Sequence, residues 1–211
     1  MPKLRRVYKF LPYKYGIEAL EKKHLKISEI GRLNDPFDLV PFDLSRPDLR
    51  KWFHEARIRL GKLSGILCFS KIWSCPVLWA HYAENHRGFA LGFDLLPDYG
   101  SDVQYVKAPE RLKFPLDEDC AGRAPYLKYD GWSYEREVRI GVLLKEPAPN
   151  GFHYNSFGDG FILKEVIVGS ANPISNTSMQ KLLRAHPGVS MRKVRPAYKE
   201  FMMVKDLRGL S

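Results

Sequence analysis

The stretch WSYEREVRIGVLL, residues 132–144, is the longest strand candidate in the sequence. Because successive side chains of a strand point to opposite faces of the sheet, the alternation predicts one face with Glu135, Glu137 and Arg139. The apolar residues between them predict a second face that belongs to the core. We therefore expect this strand to lie in a sheet, with the Glu137 side chain outside the core.

The rest of the chain mixes strand and helix patterns without a regular strand–helix–strand alternation. Further strands are predicted at residues 6–10, 25–28, 65–70, 88–94, 102–106, 161–169, 189–194 and 201–204. Helices are predicted at residues 16–23, 47–62, 76–84 and 177–185. Residues 107–129 show no clear pattern. The interspersed order indicates an α+β fold with a mixed, mostly antiparallel sheet flanked by helices.

The length and the charge limit the classes of protein to consider. A chain of 211 residues, of which 45% are hydrophobic, can bury one sizeable core, so a single domain over residues 1–211 is expected. The net charge of +10 predicts a positive surface field that favours anionic partners such as RNA, DNA, a dinucleotide or acidic lipid. Three scattered cysteines and the lack of a long apolar run predict a soluble cytoplasmic protein without a metal site or a membrane segment.

The charged face of residues 132–144 predicts a site for acid–base chemistry. Residues two apart on a strand are separated by about 7 Å, so two carboxylates can act on one bound group. Arg139 would hold one of these carboxylates in its ionised form. The same pattern also fits a solvated strand face with a surface ion pair, so both interpretations stand at this point.

The segment WAHYAENH, residues 79–86, carries a second group of candidates on a predicted helix. Trp79 is expected in the core, whereas His81 and Tyr82 end the helix where polar tips can reach a cleft. Packed aromatic side chains with satisfied polar tips explain the same residues. His81 and His86 lie on different helix faces, which argues against metal ligation.

The segment RLNDPFD, residues 32–38, predicts an ordered polar loop. Asp35, with Asn34 beside it, can hold a substrate hydroxyl or a metal ion, but bonding to the local backbone explains both side chains without a function. Basic residues toward the carboxyl end either form a solvated face or grip phosphates. They are Lys181, Arg184, Arg192, Lys193, Arg195 and Lys199.

Eight stretches, in this order and over nearly the whole chain, resemble a bacterial family known as domain of unknown function 2971. They are VYKF (7–10), ALEKKHLKIS (19–28), RLNDPFD (32–38), GILCFS (65–70), VLWAHYAENHRGFALGFD (77–94), VQY (103–105), WSYEREVRI (132–140) and ILKEVIVG (162–169). The family name carries no activity. The resemblance marks as site candidates Asn34, Asp35, Trp79, His81, Tyr82, Trp132, Glu135, Glu137 and Arg139.

The chain is more loosely similar to the ADP-ribosyltransferase superfamily, through residues 135–137. Their sequence, Glu-Arg-Glu, resembles the Glu-x-Glu element of that superfamily, in which the second glutamate is catalytic, so the resemblance implies this role for Glu137. The first strand lacks the histidine of one subclass, and the expected Ser-Thr-Ser triplet is absent. The residues that the resemblance assigns to NAD binding and to support of the pocket are Tyr8 or Lys9, or Arg6, and Ser70.

The resemblance implies an enzyme for which NAD is a substrate. Cleavage of the nicotinamide–ribose bond builds positive charge on the sugar, and a fixed carboxylate stabilises that state more than the ground state. Glu137 would supply this carboxylate, Glu135 would orient or deprotonate a nucleic-acid or protein acceptor, and Arg139 would keep the pair ionised. The ring that stacks on nicotinamide would be that of Tyr82 or Trp79.

Two other functions fit the same residues. In a metal-dependent nuclease, Asp35, Glu135 and Glu137 would bind magnesium while the basic carboxyl end holds the nucleic acid. No lysine lies on the Glu135 face of the same predicted strand to polarise a phosphate, which ranks this function second. In a non-catalytic nucleic-acid or protein-binding module, the positive charge alone would suffice, and Glu135→Gln and Glu137→Gln would leave function intact.

Overall fold

The computed structural model describes residues 4–30, 33, 35–112, 118–158 and 160–209, with residues 118 and 119 described for the backbone alone. The strands are β1 (Arg5–Leu11), β2 (His24–Lys26), β3 (Ser28–Glu29), β4 (Ser64–Ser70), β5 (Phe89–Leu95), β6 (Ser101–Asp102), β7 (Gln104–Val106), β8 (Leu127–Tyr129), β9 (Glu137–Leu143), β10 (Tyr154–Ser156), β11 (Phe161–Val168), β12 (Ser190–Pro196) and β13 (Met203–Lys205). Helix takes up 29% of the structure and strand 33%, and helices flank a mixed sheet, which confirms the predicted α+β class.

The helices are α1 (Tyr13–Lys22), α2 (Pro47–Leu63), α3 (Pro76–Tyr82), α4 (Glu118–Arg123) and α5 (Asn176–Leu183), with 3-10 helices at Ala124–Tyr126 and Asp130–Glu135. Helices α2 and α3 both begin with proline, whose missing N–H would have no partner in a first turn. None of the described helices has the length and the apolar content that a helix crossing a bilayer requires.

The chain divides into two compact units, each built from separate segments. The first unit takes in Met1–Leu25, Phe69–Tyr99 and Asn155–Ser211, and the second takes in Lys26–Cys68 and Gly100–Tyr154. The chain passes from the second unit to the first within strand β4. The expectation of a single domain stays a prediction.

The first unit is built on five strands in the spatial order β13-β12-β11-β5-β1. Strand β5 pairs antiparallel with both β1 and β11, and β13 pairs antiparallel with β12. Strand β12 runs parallel to β11, so the sheet is mixed and mostly antiparallel. Helix α1 packs on β5 and helix α3 packs on β1, which places the predicted helix of residues 76–84 against the first strand.

Strand β5 lies in the middle of this sheet because its side chains are apolar on both faces. Phe89, Leu91 and Phe93 are fully buried. Gly92 allows a close approach, since a Cβ atom there would lie 2.4 Å from Cγ of Glu165 on β11. The Glu165 side chain fills the space above Gly92 and is itself buried.

The second unit holds a smaller set of strands. Strand β4 pairs antiparallel with β3 and neighbours β9, which pairs antiparallel with β6, while β7 and β8 form a parallel pair. Helix α2 buries Leu49, Phe53 and Ala56, as its periodicity predicts. The Phe53 ring meets Phe42 edge to face, with centroids 5.6 Å apart, and anchors this helix in the core of the unit.

The predicted strand at residues 132–144 is wrong in its first part. Residues Asp130–Glu135 form a 3-10 helix, and Arg136 then adopts a left-handed conformation with φ 45° and ψ 53°. The N–H of Arg136 bonds to the carbonyl of Ser133 at 3.2 Å, which closes the turn. The strand begins only at Glu137, so the Asp-Gly turn signal at residues 130–131 outweighs the alternation that follows it.

The predicted strand at residues 102–106 is also interrupted. Strand β6 ends at Asp102 and β7 begins at Gln104. Between them, the N–H of Val103 bonds to the carbonyl of Glu137 at 3.1 Å. This bond ties the segment to the beginning of β9, where the predicted site residues lie.

Candidate active site

Five ionisable side chains meet where strand β9 begins, inside the second unit. Glu137 and Arg139 belong to β9, Glu135 ends the preceding 3-10 helix, Lys128 comes from β8, and Asp38 comes from a turn. All five residues are buried, with exposed fractions of at most 6%. We call this group the Glu137 cluster.

Arg139 holds two carboxylates of the Glu137 cluster. Its Nε and Nη2 atoms donate to the two carboxylate oxygens of Glu137, each at 2.9 Å. Nη2 also donates to Oδ2 of Asp38 at 3.0 Å, and Nη1 donates to the backbone oxygen of Pro125 at 2.8 Å. The planar fork of a guanidinium matches two carboxylate oxygens at once, so the Glu137 carboxylate is fixed in position and orientation.

Lys128 bridges the two glutamates of the Glu137 cluster. Its Nζ donates to Oε2 of Glu135 at 2.6 Å and to Oε2 of Glu137 at 3.2 Å. The same Nζ lies 5.0 Å from the ring centroid of Trp132, which is half-buried. Burial by itself would lower the pKa of Lys128, but the charges of Glu137 and Glu135 outweigh it and raise that pKa above its usual value.

Glu137 is ionised at neutral pH. Burial would raise its pKa, but the charge and hydrogen bonds of Arg139, assisted by Lys128 and the Cys68 thiol, hold the pKa below its ordinary value of 4.5. The backbone N–H of Glu137 donates to the hydroxyl of Tyr105 at 2.8 Å. Burial raises the pKa of Tyr105 to about 12, so this hydroxyl stays neutral.

The stability that Glu137 contributes is expected to disappear in acid. Because the folded-state pKa lies below the unfolded one, this contribution is present above the ordinary value of 4.5 and is lost as the pH falls through the folded value. Urea unfolding from about pH 7 to about pH 3 measures the loss. The variant Glu137→Gln should lose less stability over this range, and an equal loss in both proteins would contradict the expectation.

The predicted acidic pair and its arginine are together, but not in the predicted way. Glu135 lies on the 3-10 helix and not on the strand, so Glu135, Glu137 and Arg139 do not share one strand face. The expectation that the Glu137 side chain lies outside the core is wrong, since the residue is 5% exposed. The start of β9 is buried on both faces, because Val138 and Ile140 cover one side and the Glu137 cluster fills the other.

The predicted loop at residues 32–38 supplies a different carboxylate from the one named. Asp35 accepts the N–H of Phe37 at 2.9 Å through Oδ1, which is the local backbone bonding expected of a turn. Asn34 lies outside the described residues. Asp38, at the end of the same loop, reaches Arg139.

The candidates on and beside the first strand lie in the first unit. The Tyr8 hydroxyl bonds to the Glu165 carboxylate, and burial together with the charge of Glu165 raises its pKa. Tyr8 faces Ser70 across the ladder, and the Ser70 Oγ accepts the N–H of Ile72 at 3.1 Å. Lys9 is half-buried on β1. Their assignment to NAD binding stays a prediction.

The three site candidates on helix α3 differ in how far they are buried. Trp79 is fully buried, as expected, with its Nε1 bonded to the carbonyl of Trp73 at 2.6 Å and its ring edge to face with Phe10 at 5.2 Å. His81 is exposed and Tyr82 half-buried, with their rings in edge contact. Of the two rings predicted to stack on nicotinamide, only Tyr82 therefore has accessible surface.

Sequence reasoning missed two members of the Glu137 cluster, Asp38 and Lys128. Asp38 carried a signal, because it closes a loop of ordered polar residues. Lys128 carried none, because β8 is three residues long and lies in the segment without a clear pattern. The nuclease ranks second because the predicted strand carries no lysine beside Glu135. Lys128 of β8 nevertheless reaches both glutamates.

Among the described residues, no group of three or more His, Cys, Asp or Glu side chains is placed so that it could hold a metal ion.

The resemblances to known families are not supported by a detected relative. The resemblances to domain of unknown function 2971 and to the ADP-ribosyltransferases stay predictions. Comparisons of the chain with protein-family models, with curated proteins and with solved structures found no match.

Proposed function

We propose that the protein cleaves the nicotinamide–ribose bond of NAD and passes the ADP-ribosyl group to a nucleic-acid or protein acceptor, or to water. The observation that carries this proposal is the Glu137 carboxylate, which Arg139 and Lys128 keep ionised and fixed within a buried site. Glu135, bound to the same ammonium group, supplies the second carboxyl group that a transfer reaction uses.

The first step needs a fixed negative charge beside the ribose. As the bond between C1′ and the nicotinamide nitrogen breaks, its electron pair leaves with nicotinamide, and positive charge develops on the sugar. A carboxylate that accepts a hydrogen bond from a ribose hydroxyl stabilises this charge without having to reorganise. The Glu137 cluster contains three acidic and two basic side chains, so its excess of acid favours a cationic sugar.

Lys128 has unequal bonds to the two glutamates, and this inequality suggests how a hydroxyl enters. The bond to Glu137, at 3.2 Å, is longer than the bond to Glu135, at 2.6 Å. A ribose hydroxyl therefore replaces the longer bond at lower cost, and the ammonium group stays on Glu135. The ring of Trp132, beside this ammonium, offers an aromatic surface for nicotinamide.

The second step joins the acceptor to the sugar. An acceptor hydroxyl or amine, or water, forms a new bond to C1′ as its proton leaves. In our proposal Glu135 orients this group and takes up the proton, which then passes to solvent. The products are nicotinamide and an ADP-ribosylated acceptor, or free ADP-ribose when water is the acceptor.

The variant Glu137→Gln is expected to release nicotinamide from NAD about 100-fold more slowly than the natural protein, since it loses the charge that stabilises the transition state. Chromatography of nicotinamide, with RNA, DNA or protein acceptors added in turn, measures the rate. The variant Glu18→Gln is the matched control, because Glu18 also pairs with a lysine, at 2.8 Å, but on helix α1. Thermal unfolding of all three proteins shows whether each is folded.

Two results would oppose the proposal. The first is a natural protein that releases no nicotinamide with any acceptor, and the second is an equal rate in the folded Glu137→Gln variant. The same preparation distinguishes the metal-dependent nuclease, for which cleavage of nucleic acid would require magnesium and stop on addition of EDTA. The same variants also identify a non-catalytic binding module, because in such a protein Glu135→Gln and Glu137→Gln would both leave ligand binding unchanged.

A further inference from the structure

The hairpin formed by β12 and β13 presents two aromatic rings to solvent. Tyr198 and Phe201 lie in its turn, with exposed fractions of 84% and 102%. Apolar ring surface in contact with water is unfavourable, and a folded chain leaves few large rings fully open. Two such rings in one short turn are typical of a binding surface.

The turn that carries the rings is held from within the hairpin. Pro196 and Met203 form the last pair of the antiparallel ladder. Beyond it, the N–H of Ala197 bonds to the carbonyl of Met202, and the N–H of Met202 bonds to the carbonyl of Glu200, both at 2.9 Å. Because these bonds close the turn that carries both rings, a ligand would lose less entropy on binding there than on an unbonded loop.

The Tyr198 ring is covered on one face by a cation. The guanidinium carbon of Arg195 lies 4.2 Å from the ring centroid, and Nη1 of Arg195 is held by the carbonyl of Pro196 at 2.8 Å. With the ring 84% exposed, its remaining surface can receive a second flat group. Stacked guanidinium, tyrosine and a further ring form an arrangement favoured by cation–π attraction.

The hairpin is also basic. Residues 190–208 contain two acidic residues and six basic ones, which are Arg192, Lys193, Arg195, Lys199, Lys205 and Arg208. Arg192 is paired with Glu165, and Arg208 is paired with Asp206. The cations nearest in sequence to the two rings, Arg195 and Lys199, and the exposed Lys205 of β13 therefore suit an anionic ligand.

We infer that this hairpin binds single-stranded nucleic acid, with bases stacked on Tyr198 and Phe201 and phosphates bound by Arg195, Lys199 and Lys205. Rings and cations that follow one another suit a polymer in which bases and phosphates alternate. In a duplex the base faces are covered by neighbouring pairs, and a bilayer prefers a continuous apolar face. This binding goes beyond the proposed NAD reaction, because it involves no residue of the Glu137 cluster.

Fluorescence anisotropy with labelled oligothymidylate and oligouridylate tests the inference. Both strands are expected to bind, and Tyr198→Ala and Phe201→Ala should each weaken binding about fivefold or more, as expected for the loss of one stacked base. Phe201→Trp should retain binding because it keeps a flat ring. Tyr15→Ala is the matched control, since Tyr15 is 52% exposed on helix α1 and should leave binding unchanged.

The salt dependence of binding tests the phosphate contacts separately. The slope of log K against log salt is negative. Lys199→Gln and Lys205→Gln should each reduce its magnitude by about 0.7, as for the loss of one phosphate contact on a single strand. Lys51→Gln, on the exposed face of helix α2, should leave the slope unchanged. The Glu137→Gln variant should bind both oligonucleotides normally, so failure of the NAD proposal and failure of this inference are distinguishable.

Three results would overturn the inference. The ring variants could bind both oligonucleotides as well as the natural protein does. A duplex of the same length could bind as tightly and with the same sensitivity to Tyr198→Ala and Phe201→Ala, which would exclude stacking on free bases. Vesicles of anionic phospholipid could bind in a ring-dependent way while the oligonucleotides do not, which would make the hairpin a membrane-binding element.

Discussion

The variant Arg139→Met is expected to lower the free energy of unfolding by about 3–5 kcal/mol, because Lys128 alone then balances the three buried carboxylates of the Glu137 cluster. Arg139 is 0% exposed and bonds to both Glu137 and Asp38. Methionine has a similar length but no charge, so the two acidic side chains would face each other in a poorly solvated place. Urea unfolding at neutral pH measures the change.

The natural comparison for Arg139→Met is Arg46→Met. Arg46 also pairs with a carboxylate, that of Asp48 at 2.5 Å, but both side chains are more than half exposed, so a much smaller loss than that of Arg139→Met is expected. Adding Glu137→Gln to Arg139→Met should recover part of the lost stability, because it removes one of the three negative charges that Lys128 alone would balance. Similar losses in the Arg46 and Arg139 variants would show that burial adds nothing to the ion pair.

The variant Trp79→Ala is expected to lower the free energy of unfolding by about 3–5 kcal/mol, because it empties a large volume in the first unit. The ring is fully buried, packs on Phe10 and donates a hydrogen bond to the carbonyl of Trp73. Alanine would remove the packing and leave that carbonyl without its donor. Thermal and urea unfolding measure the effect.

Two further variants separate packing from hydrogen bonding at this position. Trp79→Phe keeps much of the buried ring but loses the bond to Trp73, so its loss should be smaller than that of Trp79→Ala. Tyr82→Ala removes a half-buried ring of the same helix, so it should lower the free energy of unfolding by less than Trp79→Ala does. An unchanged stability of Trp79→Ala would mean that the ring does not lie in the core.

The sequence predicts the regular elements of this fold well because their signals are local. Helix α2 is an example, since a proline at its start and an apolar residue every three or four positions determine both its span and its buried face. Residues 130–135 show the limit of the same reasoning. Alternation of charged and apolar side chains continued into them, but an Asp-Gly pair and a left-handed residue at Arg136 turned the chain into a 3-10 helix.

The composition of the candidate site could be predicted only in part. Glu135, Glu137 and Arg139 are near neighbours in the chain, so their proximity was expected from the sequence. Their burial was not, because it depends on Asp38, which lies 101 positions from Arg139, and on Lys128 from another strand. An alternating charged strand has the same sequence whether its charged face meets water or an ion network, since only distant partners decide between them.

The division of the chain into interleaved segments has a consequence during synthesis on the ribosome. The first unit has its opening segments, Met1–Leu25 and Phe69–Tyr99, long before Asn155–Ser211, which supplies β11 between β5 and β12. The second unit has all its residues once Tyr154 has been made. One edge of strand β5 therefore stays unpaired until β11, about 70 residues later, has been made. Such delayed pairing exposes apolar surface on a nascent chain, which is the kind of surface that chaperones bind.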